Sequence, residues 1–125
     1  SKKLNINNKK FSGYMAKGTQ CLKVENYNCA QSQANLALKI KPDNSKAANL
    51  KQEVFFAKTQ HKIRIKKVRK ILIKAEKCYK IKNYSCAIAK TESALEVIPN
   101  YTEALALKNK ATSEIKKLKQ SIMIE

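Results

Sequence analysis

Apolar residues recur along this chain at helical spacing, and the pattern occurs twice. Tyr14, Gly18, Cys21 and Leu22 fall on one side of a first helix. After the polar corner Glu25-Asn26-Tyr27, the positions Ala30, Ala34, Ala37 and Leu38 form a second stripe. Pro42 stops that helix, and Asp43, Asn44 and Ser45 are N-cap candidates for a third, running from Ser45 to about Lys58. The chain then does the same again with Ile71, Ala75 and Cys78, with Ala87, Thr91, Ala94 and Leu95, and with Pro99 and Asn100. Each unit is predicted to be a short-turn helix hairpin followed by a third helix. Residues 1–10 are polar and unpatterned, and read as a linker or frayed end. The helical domain is placed at 11–125, with unit one at 11–58 and unit two at 61–125.

Between the units the stripe does not stop. Ala47, Leu50, Val54, Ala57, His61, Ile65, Val68, Leu72, Ala75 and Tyr79 continue it with no Gly or Pro. Two readings follow. One is a continuous central helix of about 55 Å at ~1.5 Å per residue, which would hold the hairpins apart and favour a homodimer. The other is a break near Thr59-Gln60.

Sliding the sequence on itself by 57 residues pairs Cys21 with Cys78 and Cys29 with Cys86. Thirteen of the 35 positions from Lys17 to Lys51 are then identical, which marks a repeated supersecondary unit. In each unit a small residue, a Tyr after the turn, an Ala three on, a second Ala and a Pro keep fixed spacing. These are Gly18, Tyr27, Ala30, Ala37 and Pro42, then Ala75, Tyr84, Ala87, Ala94 and Pro99. This pattern resembles the tetratricopeptide repeat over residues 11–44 and 68–101. The units are 57 residues apart rather than the family's roughly 34, and Cys stands where the first helix usually has a large aromatic. The resemblance implies an all-α fold of helical hairpins of the α-α superhelix type, with five to six helices, acting as a protein-interaction scaffold. Some members clamp acidic chaperone tails with Lys and Asn on successive first helices. Met15 and Thr19 occupy such positions here, so that mode does not carry over.

A helix, a tight corner and an antiparallel helix bring residues beside the corner within disulfide reach. We therefore read Cys21–Cys29 and Cys78–Cys86 as disulfides, each stapling its own hairpin. Some cysteine-rich relatives of the tetratricopeptide fold look similar. The alternatives are four buried free thiols or a zinc site, although an eight-residue separation across a corner suits zinc poorly. Disulfides place the chain in an oxidising compartment: periplasm, cell surface or secretory lumen. Free thiols would return it to the cytoplasm. A start at Ser1 reads as a mature or excised fragment, and no stretch approaches the roughly 20 apolar residues that cross a bilayer. The sequons Asn83-Tyr84-Ser85 and Asn100-Tyr101-Thr102 fall on repeat positions, and we read them as products of the repeat.

Charge changes the picture most. The net charge is +18, from 27 Lys+Arg against 9 Asp+Glu. Residues 58–82 alone carry eleven basic groups and one acidic group. There Ile65, Val68, Leu72, Ala75 and Tyr79 line one side of a helix, and Lys66, Lys70, Lys74 and Lys77 another. Ile63, Ile71 and Ile73 widen the apolar arc. Such a helix suits an acidic protein, an anionic membrane surface or nucleic acid. Nucleic acid is the weaker reading, because the chain has only two Arg and no recognition motif. The bland reading is a solvated helix face. No catalytic or cofactor constellation is present in the sequence. His61 reads as packed, and Glu25, Glu76 and Glu92 as solvated. The expectation is a non-enzymatic interaction module of a larger envelope or secretion protein. It takes no cofactor and no metal. Lys66, Lys67, Lys70, Lys74 and Lys77 would contact the partner, with Tyr79 and Met15 as apolar anchors.

Overall fold

The helices start and stop where caps and prolines stand. In the computed structural model, which describes residues 2–124 and side chains to Met123, five helices follow one another. They are α1 (Lys2–Lys23), α2 (Tyr27–Ile40), α3 (Ser45–Lys80), α4 (Tyr84–Val97) and α5 (Thr102–Ile124). The chain is all-α, with no strand among the described residues. The α2 and α4 helices each end two residues ahead of a proline, Pro42 and Pro99, with the N–H groups of Lys41 and Ile98 returning to the carbonyls of Ala37 and Ala94. At the start of α3, the Asn44 Oδ1 accepts the N–H of Ala47 at 3.0 Å.

One expectation changes. Residues 2–10 belong to α1 rather than to a linker, although every side chain among them is exposed. Once Phe11 and the turns after it are packed, adding helical residues ahead of them costs little, because nucleation is already complete. Of the two readings of Thr59-Gln60, the structure has the continuous helix: α3 runs from Ser45 to Lys80. Polar residues that favour neither turn nor strand do not interrupt a helix packed on both sides of them.

The chain divides into two compact units, Ser1–His61 and Lys62–Glu125, with the division inside α3. Unit one packs α1, α2 and the first part of α3. Ala30, Ala34, Leu50 and Val54 form one buried cluster, joined by Met15, Cys21 and Leu22. Phe11, Ala37 and Ala47 form another, and the Lys41 Nζ sits 4.5 Å from the centre of the Phe11 ring. Gly18 lies where these helices meet. A Cβ there would come within 3.0 Å of Leu50 Cδ2 and 3.2 Å of Gln33 Cβ. Unit two packs the rest of α3 with α4 and α5 around Val68, Leu72, Ala94 and Ala104.

The buried positions repeat with the sequence. Phe11 answers Val68, Gly18 answers Ala75, and Val54 answers Ala111. Ala30, Ala37 and Ala47 answer Ala87, Ala94 and Ala104. Ala34 is replaced by Thr91, whose hydroxyl donates to the Ile88 carbonyl at 2.8 Å and so is satisfied inside its own helix. Among the described residues, nine of the fourteen buried apolar side chains are alanine. Small residues let helix backbones approach closely, but each removes little apolar area from water. A core this thin gains proportionally from covalent reinforcement.

Candidate functional site

Each hairpin corner is built from the same few residues. The end of α1 closes as a Schellman motif: the Asn26 N–H donates to the Cys21 carbonyl at 2.8 Å, and the Glu25 N–H to the Leu22 carbonyl at 3.1 Å. Glu25 takes the left-handed conformation that this motif requires, with φ 61°. Asn26 then caps α2, its Oδ1 accepting the Cys29 N–H at 3.2 Å. Unit two is the same: Asn83 to Cys78 at 2.9 Å, Lys82 to Tyr79 at 2.9 Å, and Asn83 Oδ1 from Cys86 at 3.2 Å, with Lys82 at φ 63°. One asparagine thus holds the backbone of both cysteines of its pair. This fixes Cα–Cα distances of 5.8 Å for Cys21–Cys29 and 5.7 Å for Cys78–Cys86, and both pairs are joined as disulfides. The pairing is the one expected from the hairpin, and it fits an oxidising environment. Asn83 also begins the sequon Asn83-Tyr84-Ser85. Its side chain is engaged as a helix cap.

Aromatic contacts brace the corners. Tyr27 and His61 lie 5.3 Å apart between ring centres, which places His61 as a packed residue. Tyr79 meets Tyr84 edge-on at 5.5 Å. Burial and the nearby Glu114 carboxylate, with Tyr79, push the Tyr84 phenol above its ordinary value of 10.0, and Lys117 pulls in the opposite direction. In unit one, the Lys58 ammonium donates to Asn28 Oδ1 at 3.3 Å and Gln31 Oε1 at 3.0 Å, tying α3 to α2.

The basic stretch lies on α3. Lys66, Lys67, Lys70, Lys74 and Lys77 are all exposed, on the side away from buried Val68, Leu72 and Ala75. Among the described residues the ion pairs are Lys108–Glu92 and Lys117–Glu114, so these five ammonium groups have no carboxylate partner. Ile63 and Ile73 stand on the same side, 54% and 55% exposed, whereas Ile71 packs against the unit-two core. The two expected anchors are placed elsewhere. Tyr79 is half-buried against Tyr84, and Met15 is half-buried against both core clusters of unit one.

No helix among the described residues is long and apolar enough to cross a membrane. No group of three or more His, Cys, Asp or Glu among them is placed to hold a metal ion. Compared with protein-family models, with curated proteins and with solved structures, the chain matches none.

Proposed function

We propose that this chain is a non-catalytic interaction module of the tetratricopeptide-repeat type, which binds an acidic protein partner through the basic side of α3. The observation that carries the reading is the row of exposed lysines, Lys66, Lys67, Lys70, Lys74 and Lys77, with no intramolecular carboxylate to neutralise them. Concentrated unneutralised charge costs the folded state self-repulsion, and a partner of opposite sign relieves it while accelerating encounter. The disulfide-stapled corners support an extracytoplasmic setting, in the periplasm, at the cell surface or in a secretory lumen, within a larger envelope or secretion protein. Repeated helical hairpins with the Tyr-Ala-Ala-Pro spacing support the family reading.

The test is reversal of three lysines together, Lys66→Glu, Lys70→Glu and Lys74→Glu. Binding to a glutamate-rich polypeptide and to random-sequence duplex DNA is measured in parallel over a salt series. The reading expects the acidic polypeptide to bind at physiological salt and the triple variant to lose on the order of tenfold or more in affinity. Equal affinity in the triple variant would refute it. Tight DNA binding that survives physiological salt would replace it with an anionic-polymer binder.

A further inference from the structure

The two units repeat one another, and one surface of unit one carries features that its counterpart lacks. In unit one, Leu38, Pro42, Ala48, Lys51, Gln52 and Phe55 line an open groove of about 500 Å³. That volume falls within the usual range of ligand clefts, roughly 300–1,000 Å³. Phe55 forms one wall and is 72% exposed. Leu38, Pro42 and Lys51 recur in unit two as Leu95, Pro99 and Lys108. Three lining positions do not recur: Gln52 is answered by Asn109, Phe55 by Thr112 and Ala48 by Leu105. Leu105 is 36% exposed. Outside the lining, Asn35 is answered by Glu92, whose carboxylate lies 3.6 Å from the Lys108 ammonium.

Unit two therefore carries a leucine and a lysine-paired carboxylate at the positions that Ala48 and Asn35 hold in unit one. Unit one supplies neither. The space that a leucine would fill is left open at Ala48, and Lys51 has no ion pair among the described residues. We propose that the unit-one groove binds a peptide segment of a partner protein in which an aliphatic side chain stands beside an acidic one. The aliphatic group packs on Leu38, Pro42, Ala48 and Phe55. The carboxylate pairs with Lys51, as Glu92 pairs with Lys108. Burial of the aliphatic group supplies most of the affinity, and the ion pair sets its register. A second copy of the chain is a poor occupant, because unit one carries ten basic and three acidic groups over residues 1–57 and the whole chain is +18. The groove lies in unit one, away in sequence from Lys66–Lys77, and its occupancy does not depend on the function proposed for that helix.

The test uses the full chain, disulfides intact and nitrogen-labelled, titrated by NMR with the end-capped hexapeptide Ser-Leu-Asp-Glu-Leu-Ser. A control hexapeptide of equal charge has both leucines replaced by serine. Saturable amide shifts are expected at Leu38, Ala48, Lys51 and Phe55, and the control should bind more weakly by on the order of tenfold. Ala48→Leu, which installs the unit-two residue, should close the groove. Lys51→Glu, at an exposed position that the fold does not use, should weaken the leucine peptide about tenfold with the fold intact. The proposal is overturned by absence of saturation at millimolar peptide. It is overturned equally by shifts that the serine control reproduces at Lys66–Lys77, or by unchanged affinity in both variants.

Discussion

Removing the unit-one staple with Cys21→Ser and Cys29→Ser measures what the bridge contributes. The two cysteines are eight residues apart. Closing a loop of that size removes unfolded-chain entropy worth about 2.5 kcal/mol at room temperature. Both side chains are only half-buried, so the serine hydroxyls stay hydrated and add little further cost. The corner itself should survive in the folded state, because the Asn26 cap and the two Schellman hydrogen bonds are backbone features that do not need the sulfur atoms. The loss should therefore come mainly from a more expanded unfolded ensemble. Urea unfolding followed by circular dichroism tests this: stability falls by about 2.5 kcal/mol and the denaturant slope rises slightly. Removing Cys78 and Cys86 as well, in the other unit, should bring the total to about 5 kcal/mol. A loss below about 0.5 kcal/mol would show that the staple does not reinforce the thin alanine core, and would refute the reasoning.

Three further outcomes follow from the corners. Asn26→Ala and Asn83→Ala each leave a helix N-terminus uncapped and should cost about 1 kcal/mol in urea unfolding, while the neighbouring disulfide still forms. Glu25→Gly and Lys82→Gly relieve a side chain held at φ 61° and 63°, and each should stabilise by about 0.5 kcal/mol, the strain released exceeding the extra flexibility of the unfolded chain. The Tyr84 phenol titrates higher in the folded than in the unfolded chain, so the stability it contributes is intact below pH 10.0 and is lost as pH rises through its folded value. Tyr84→Phe should remove an ultraviolet tyrosinate component titrating above pH 10.0 and soften the alkaline unfolding.

Much of this architecture is legible in the chain because the duplication reports each feature twice. The Cys-x7-Cys pairs, the small residues at Gly18 and Ala75, and the stops before Pro42 and Pro99 all correspond to structure. Three features escaped, each for a physical reason. A helix and a helix–turn–helix with a polar turn share one apolar period, so the stripe through Thr59-Gln60 did not distinguish them. The segment 2–10 has no buried side to generate a pattern, and its helicity is propagated from the packed turns of α1. Asn26 and Asn83 cap α2 and α4, and a polar residue inside a tight corner serves a turn or a cap equally well in the sequence. Helix phase put the lysines on the exposed side correctly. It did not show that Met15 is drawn into the core, which depends on packing among three helices. The groove beside Phe55 left only a faint trace, the adjacent aromatics Phe55 and Phe56 in a polar stretch.

The account stands on two hairpins, each closed by its own disulfide, and a thiol count tests that most directly. Protein recovered from its native compartment is denatured without reductant, alkylated, and weighed intact before peptide mapping. The account predicts no alkylated cysteine, with Cys21 linked to Cys29 and Cys78 to Cys86. Four alkylated cysteines would contradict it, removing the argument for an oxidising compartment and restoring the nucleic-acid reading of the basic helix.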